Sequence, residues 1–324
     1  MKIIEAAEAR ERLDMPTCVR LMREAFTMLE DGTASQPMRS VNALPHGNSF
    51  GFMPAYLGDH GYFGAKVITA FHGNIGTEYP SHMGYVMMFE SEHGSFVGMA
   101  DCSVITELRT GAASGVATDL LARKDAKTLA LIGAGAQARS HLAAMLVVRP
   151  GLSEVRVYDL RKEASEAFKA ESEAKYGVKV AVCGSAEEAV KDADIICTLT
   201  PSKEAYLKKE WVKPGAHINA VGTFTPTTRE VTSELVAASR LYADQVAAMK
   251  KEAGEYLIPL SDGSSPRTTL SAASARCCWA GPPGGSRKRR SPSSTRSAWR
   301  SRTSSAGDTS SAANKRRLFY EAMH

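Results

Sequence analysis

The feature that most limits the fold of this chain is the segment Leu129-Ala130-Leu131-Ile132-Gly133-Ala134-Gly135-Ala136-Gln137-Ala138. It has the order apolar strand, Gly-x-Gly-x-x-Ala, helix. In this pattern Gly133 makes the tight turn, Gly135 lets backbone amides approach a diphosphate, and the small Ala138 lets the helix pack close to the strand. A diphosphate bound there lies at the positive N-terminus of the helix. The segment therefore predicts a strand–turn–helix unit that binds a dinucleotide.

An acidic residue after the next apolar run supports the same interpretation. Asp159 ends the segment Val157-Tyr158-Asp159, 24 residues beyond Gly135. A carboxylate at this place accepts hydrogen bonds from an adenosine ribose and repels a 2′-phosphate. We therefore expect NAD as the cofactor, while Arg161 leaves NADP possible. The alternative is that Asp159 only caps the helix that follows.

Apolar runs alternate with helical patterns from residue 128 to residue 253. The runs cover residues 128–132, 155–158, 178–182, 195–199, 217–221 and 240–243, and the predicted helices cover 137–148, 162–176, 186–191 and 244–253. Short apolar strands separated by helices predict a parallel sheet with both faces covered. Ligands bind such sheets at the carboxyl ends of the strands. The segments 197–202 and 219–223 fall there, although their hydroxyl groups fit turns equally well.

The region before residue 123 has a different texture. Residues 16–30 have helical spacing that ends at Gly32, and residues 103–122 form a second, Ala-rich helical pattern. Between them lie short extended runs punctuated by glycine, at residues 50–56, 62–71, 84–89 and 96–99. These runs predict a meander of strands.

Three cations in this region are candidates for binding a substrate carboxylate or polarising a C=O or C=N group: Arg39, Lys66 and Arg109. Lys66 lies inside the apolar segment Gly64-Ala65-Lys66-Val67-Ile68, where burial of an ammonium lowers its pKa towards a useful range. The alternatives are an edge-strand lysine that discourages aggregation and arginines that are simply solvated. His82 is a candidate proton carrier or an ordinary turn residue.

Composition limits the remaining classes of function. No run approaches the roughly 18 apolar residues of a membrane span, and the six cysteines lack metal-ligand spacing. We expect a cytoplasmic protein with reduced thiols and no metal. The net charge of +5 is uneven, because residues 264–317 are rich in Arg and Ser and contain a single acidic residue, Asp308. The rest of the chain is mildly acidic, which disfavours a nucleic-acid partner.

The combined motifs resemble those of the ornithine cyclodeaminase and mu-crystallin family over residues 1–262. The resemblance rests on the following segments: Gly64-Ala65-Lys66-Val67, Glu107-Leu108-Arg109-Thr110-Gly111-Ala112-Ala113-Ser114, Ile132-Gly133-Ala134-Gly135-Ala136-Gln137-Ala138, Asn219-Ala220-Val221-Gly222 and Glu252-Ala253-Gly254-Glu255. It implies an NAD(P)-dependent homodimer with an α/β fold. A Rossmann domain with a doubly wound parallel sheet, residues 123–262, is inserted in a second, α+β domain for substrate binding and dimerisation, residues 1–122. Residues 263–324 remain as an atypical segment.

The resemblance also implies roles for single residues. Lys66 is the expected catalytic residue, and Arg39, Lys66 and Arg109 are the expected substrate-binding cations. The expected cofactor contacts are Ser81, Arg109, Gly133, Gly135, Ala136, Gln137, Asp159, Thr200, Asn219, Ala220, Val221 and Gly222.

One departure from the family pattern affects the expected reaction. Ornithine cyclodeaminases have a catalytic aspartate in a pattern like Val-Gly-Gly-Asp, but this chain has Phe224 at the acidic position. Phenylalanine neither accepts a proton nor binds an amino group. We therefore expect hydride transfer between NAD(P)H and a small cyclic imino acid of ketimine or pyrroline-2-carboxylate type, or the reverse oxidation. Ornithine cyclodeaminase and a non-catalytic, crystallin-like NAD(P)-binding protein are the alternatives.

The Ser/Arg-rich run from residue 264 is the second departure. It begins where an amphipathic helix normally returns to the cofactor and substrate in the family. Three explanations account for such a composition: a reading-frame error in a GC-rich gene, a basic disordered tail, or a divergent folded segment. The sequence favours the first explanation because the run lacks any folding pattern.

Overall fold

The computed structural model describes residues 2–74, 76–223 and 225–264, together with the backbone of residues 271–272. Within these residues the chain forms two larger sheets, one mostly antiparallel and one parallel. The expectation for the tail from residue 264 and that for Phe224 therefore fall largely outside the described residues. The predicted domain boundaries at residues 122 and 262 stay predictions.

The first sheet has the strand order β1-β6-β5-β4-β3-β2. Its strands are β1 (Lys2–Ile4), β2 (Ser40–Ala43), β3 (Ser49–Tyr56), β4 (Tyr62–Ala70), β5 (His82–Glu90) and β6 (Phe96–Asp101). Strands β2 to β6 form the predicted antiparallel meander, and β1 adds a parallel edge against β6. Lys66 lies in β4, between β3 and β5, so the alternative of an edge-strand lysine is wrong.

Three helices accompany this sheet: α1 (Ala6–Arg12), α2 (Met15–Asp31) and α3 (Cys102–Leu121). The side chain of Asp14 caps α2 by accepting a hydrogen bond from the Thr17 N–H, and Gly32 ends the helix in a left-handed conformation, as predicted. Helix α2 buries the apolar stripe that includes Val19 and Phe26 against α3 and a later helix. This stripe follows helical spacing, which is why the sequence predicted the helix.

The second sheet is parallel, with the order β11-β10-β7-β8-β9. Its strands are β7 (Thr128–Ile132), β8 (Glu154–Tyr158), β9 (Val180–Val182), β10 (Ile195–Thr198) and β11 (His217–Ala220), and the helices among them are α4 (Ala136–Val148), α5 (Lys162–Tyr176), α6 (Ala186–Val190) and α7 (Ser233–Ala238). Alternate residues of β7 belong to two cores: Leu129 and Leu131 pack with α4 and α5, whereas Ala130 and Ile132 pack with α6 and α7. Both faces are covered, so the predicted doubly wound α/β sheet is confirmed.

One predicted strand belongs elsewhere. Residues 240–243 were expected in the parallel sheet, but β12 (Tyr242–Ala243) pairs with β13 (Ser271–Ala272) in a separate two-stranded sheet. The expectation was wrong because a short apolar run does not reveal its pairing partner, which here lies almost thirty residues later. Two helices follow β12, α8 (Val246–Glu252) and α9 (Gly254–Ser261).

Candidate active site

The glycine-rich turn joins β7 to α4 at the carboxyl edge of the parallel sheet. Gly133 has a φ of +103°, a conformation that favours glycine, and a Cβ there would lie 2.8 Å from the carbonyl oxygen of Leu199. No side chain caps α4 at Gly135, and Gly135 and Ala136 are exposed. Ala138 is fully buried. The open, uncapped helix start therefore fits the diphosphate of a dinucleotide.

Asp159 lies at the end of β8, beside this turn. Its carboxylate accepts hydrogen bonds from the backbone N–H groups of Ala134 and Arg161, each at 2.9 Å. The N-cap residue of α5 is Arg161 and not Asp159, so the alternative role of Asp159 as a helix cap is wrong. Asp159 instead holds the glycine-rich turn in place.

The ends of β10 and β11 complete this edge of the sheet. Thr198 is paired with Ala220 in the parallel register, so the loops that begin at Leu199 and Val221 run side by side. The N–H groups of Val221 and Gly222 both donate to the carbonyl oxygen of Thr198, at 3.1 Å. The methyl group of Thr200 would be 3.3 Å from a Cβ at Gly133. The structure thus brings Gly133, Thr200 and Gly222 together.

The side chain of Asn219 is turned into the protein. Its amide Nδ2 donates to Oγ1 of Thr118 in α3 at 3.0 Å and contacts Sγ of Cys197, while Oδ1 lies 3.2 Å from Nε2 of His217. The residue is buried. Any contact that Asn219 makes with a cofactor would therefore come from its backbone.

Lys66 reaches from β4 towards the start of α3. Its Nζ donates a hydrogen bond to Oγ1 of Thr106 at 3.3 Å. Burial, together with the nearby charges of Arg109 and Arg39, lowers the pKa of Lys66 to about 8, while Cys102 acts in the opposite direction. An ammonium with this pKa is able to donate a proton near neutral pH.

Arg39 and Arg109 lie close enough to Lys66 to lower its pKa. The guanidinium of Arg39 forms an ion pair with Glu252 of α8 at 2.5 Å. The pKa of Arg109 is lowered mainly by burial and also by Arg39, while the carboxylate of Asp244 partly offsets this. Arg109 nevertheless keeps part of its surface exposed to solvent. The structure therefore brings all three predicted cations together.

The packing of α3 on α4 places these cations at the same end of the molecule as the glycine-rich turn. A Cβ at Gly111 would lie 2.6 Å from the carbonyl oxygen of Ser140, and Oγ of Ser114 hydrogen bonds to Nε2 of His141 at 2.9 Å. The two helices therefore run parallel and in step. One turn earlier, Glu107 in α3 attracts Arg139 in α4. The segment that carries Thr106 and Arg109 is level with the start of α4.

Ser81 and His82 approach the cations from the start of β5. Oγ of Ser81 lies 3.0 Å from Nδ1 of His82. Burial lowers the pKa of His82, and His72 and Lys66 lower it further. His82 begins a strand instead of lying in a turn.

Several residues of the site were not predicted. Arg139 donates to the carbonyl oxygens of Ala134 and Gly135 at about 3 Å and so braces the turn. Its position four residues after Gly135, at the start of α4, is a signal that the sequence contained. Glu230 accepts hydrogen bonds from Thr200 and from Gly222. The sequence offers no signal for Glu230, since its partners come from distant segments.

The part of the chain that the structure describes contains no group of three or more His, Cys, Asp or Glu side chains arranged to hold a metal ion. Among the same residues, every helix is too short or too polar to cross a membrane.

The fold and the site define a class: a dinucleotide-binding α/β protein with a cationic pocket beside the glycine-rich turn. The sequence profile of the ornithine cyclodeaminase/mu-crystallin family matches residues 1–272. The ketimine reductase mu-crystallin of Mus musculus is 38% identical over 238 residues, which are 73% of this chain and 74% of the relative. The chain belongs to the ornithine cyclodeaminase/mu-crystallin family, and the predicted membership is confirmed.

Two solved structures share the fold over most of their length. One is the Δ1-pyrroline-2-carboxylate reductase of Thermococcus litoralis in complex with NADH and L-proline, with a TM-score of 0.77, 31% identity and 82% of each chain covered. The other is an archaeal alanine dehydrogenase dimer with bound NAD, with a TM-score of 0.79, 30% identity and coverage of 85% of this chain and 83% of that chain. Both agree with the predicted Rossmann domain joined to a second domain.

Proposed function

We propose that this protein is an NAD(H)-dependent oxidoreductase that reduces a small cyclic imino acid to the matching amino acid. The observation that carries the proposal is the convergence of Lys66, Arg39 and Arg109 at the end of α3 that is level with the glycine-rich turn. Clustered cations bind a carboxylate, and the turn fits a dinucleotide. The names of the family relatives, ketimine reductase and Δ1-pyrroline-2-carboxylate reductase, support a C=N group as the target.

NAD is the proposed cofactor in preference to NADP. Asp159 is held beside the turn by two backbone N–H groups, and its negative charge disfavours a 2′-phosphate on the adenosine ribose. The nearest cation, Arg161, lies 3.8 Å from the same carboxylate and is largely exposed. The solved relatives that contain NADH and NAD support this choice.

The chain's own residues bind the substrate and supply the proton. When bound, the reduced nicotinamide supplies the hydride to the imine carbon. Arg39 and Arg109 hold the substrate carboxylate through charge-assisted hydrogen bonds. Lys66, oriented by Thr106, donates a proton to the imine nitrogen, so that the C=N bond gains one hydride and one proton and becomes an amine.

We also propose that the protein is a homodimer that pairs through the first sheet. Residues at alternate positions of β3, β4 and β5 share the face opposite Lys66. On this face Phe52, Tyr56, Phe63 and Met83 are each at least 37% exposed. A patch of large apolar side chains is typical of an interface between subunits. The archaeal alanine dehydrogenase structure is a dimer, which supports a dimeric state for this chain.

The test is the loss of NADH absorbance with a panel of substrates. We expect turnover with pyrroline-2-carboxylate and its six-membered homologue without added ammonia. Turnover of pyruvate only in the presence of ammonia would instead indicate reductive amination of an open-chain keto acid. Release of proline and ammonia from L-ornithine would support the cyclodeaminase alternative, and NADH binding without turnover across the panel would support the crystallin-like alternative.

A further inference from the structure

Glu230 is a completely buried carboxylate in the segment between β11 and α7. Its Oε1 accepts hydrogen bonds from the Thr200 N–H at 2.8 Å, the Thr200 hydroxyl at 2.6 Å and the Tyr206 hydroxyl at 2.9 Å. Its Oε2 accepts a fourth bond, from the Gly222 N–H at 2.8 Å. Burying a carboxylate costs free energy unless the carboxylate accepts hydrogen bonds, and Glu230 accepts these four.

The partners of Glu230 belong to two neighbouring loops of the candidate cofactor site. Thr200 follows β10 and Gly222 follows β11, and these strands are paired. A Cβ at Gly222 would lie 2.2 Å from the carbonyl oxygen of Thr200, so the two backbones are already in close contact. One carboxylate therefore fixes the separation of the two loops.

Glu230 is itself fixed through its backbone. Its carbonyl oxygen accepts hydrogen bonds from the N–H groups of Tyr206 and Leu207, both at 2.9 Å. Its N–H donates to Oε1 of Glu255 in the first turn of α9, also at 2.9 Å, and the same oxygen accepts from the Thr223 hydroxyl. The Glu230 side chain thus projects from a point that is tied to α9 and to the segment after β10.

The hydrogen bonds of Glu230 suit a residue that holds backbone segments in place and not one that carries a proton. Burial raises the pKa of Tyr206, and the charge of Glu230 raises it further, so the phenol stays a neutral donor. The switch point of this sheet lies between β7 and β10. In a doubly wound sheet of this kind, the strands on the side of β10 and β11 face the nicotinamide half of a dinucleotide. Asp159, which faces the adenosine half, lies on the other side of β7.

We propose that Glu230 is a positioning residue that holds the loops after β10 and β11 at the separation required by the nicotinamide half of the cofactor. It acts through Thr200 and Gly222 without touching the reactants. This inference rests on the proposed function, because it needs a dinucleotide at this edge of the sheet.

The main test compares Glu230→Gln with two controls in the full chain. The side-chain NH2 group of glutamine faces one of the groups that now donate to Glu230, so one hydrogen bond is lost. We therefore expect the Kd and KM for NADH to rise about tenfold and kcat to fall. The KM for the imino acid should stay within about twofold of the wild-type value. Glu234→Gln, at an exposed position of α7, should leave all of these unchanged. Val236→Ala, in the buried face of α7, should lower Tm without changing the Kd for NADH.

A purely structural role predicts a different pattern. Wild-type Kd and kcat in folded Glu230→Gln would overturn the inference, as would an equal rise in the NADH Kd in Val236→Ala at a similar loss of Tm. Should Glu230→Gln not fold, Tyr206→Phe removes a single donor from the same carboxylate. A rise of about threefold in the NADH Kd would support the inference, and no change would overturn it. Failure of the wild-type protein to bind NADH would contradict the proposed function as well, so the two failures are distinguishable.

Discussion

Nζ of Lys66 in β4 donates a hydrogen bond to Oγ1 of Thr106 in α3, 3.3 Å away. This contact joins the first sheet to the helix that packs on α4, the first helix of the dinucleotide-binding unit. The proposed proton donor is therefore anchored to the element that aligns the cationic pocket with the glycine-rich turn.

Replacing Lys66 by Met keeps most of the side-chain volume and removes the proton donor. We expect kcat for imino-acid reduction to fall at least about a hundredfold, in the range typical of a lost general acid. The Kd for NADH, measured by fluorescence titration, should change little because the glycine-rich turn is untouched. Lys175→Met, at an exposed position of α5, is the matched control. A Lys66→Met enzyme as active as the parent would disprove the role of Lys66.

The rate of reduction should depend on pH through Lys66. Burial and two neighbouring arginines lower the pKa of Lys66 to about 8, so the ammonium is protonated below this value and loses its proton above it. Because reduction needs the protonated form, kcat/KM should fall as pH rises through about 8, whereas oxidation of the amino acid should become faster. A flat profile from about pH 7 to about pH 9, roughly one unit either side of the expected midpoint, would show that another group supplies the proton.

Replacing Arg109 by Lys keeps the charge and removes the fork of donors that suits a carboxylate. We expect the KM for the imino acid to rise by about tenfold or more, and by a larger factor than the Kd for NADH. Steady-state kinetics with each substrate varied in turn separates the two effects. Arg20→Lys, exposed on α2, serves as the control. An unchanged KM would place the carboxylate away from Arg109.

Replacing Asp159 by Asn removes the negative charge and keeps one acceptor oxygen, so one of the two backbone N–H groups loses its partner. The preference for NADH over NADPH, measured as the ratio of kcat/KM values, should decrease by about tenfold. Asp192→Asn is a suitable control, since Asp192 is exposed and has a left-handed backbone that asparagine tolerates. A wild-type protein that prefers NADPH would contradict the assignment of Asp159 at once.

A charge in the exposed face of the first sheet should prevent dimer formation. Phe63 stacks on Phe89 of the neighbouring strand, with ring centroids 5.3 Å apart, and lies beside Tyr56 at one end of the apolar patch. We expect Phe63→Glu to halve the molecular mass measured by light scattering, because a carboxylate buried in an apolar interface has no partner. Leu160→Glu, in a loop of the other sheet, should leave the mass unchanged. A monomeric wild-type protein would rule out the proposed interface.

Local sequence patterns were sufficient to predict most of the fold. The glycine-punctuated extended runs correspond to β3, β4, β5 and β6, and the alternation after residue 127 corresponds to the parallel sheet. These predictions succeeded because strand and helix periods, turns and caps are encoded by neighbouring residues. The short strand β1 was not predicted, since its three residues form a strand only by pairing with β6, far along the chain.

The site was predictable where a motif or a cation in an apolar run carried the signal. Gly133, Lys66 and Arg109 are of this kind, and the structure brings them to one end of the molecule. Contacts between distant segments were not predictable: Glu230 reaches Thr200 over thirty residues, and the Asn219 side chain turns inward to bond to Thr118. A sequence pattern shows which residues lie at the edge of a sheet, but the direction of a side chain depends on tertiary packing.

Reduction of a C=N group requires that a hydride pass from the nicotinamide to the imine carbon, and isotope transfer follows that hydride. Purified protein is incubated with pyrroline-2-carboxylate and NADH carrying deuterium in place of both hydrogens at C4 of the nicotinamide ring, and the product is examined by mass spectrometry and NMR. We expect proline with one deuterium, bonded to its α-carbon. Proline without deuterium, or no proline at all while NADH is bound, would contradict it.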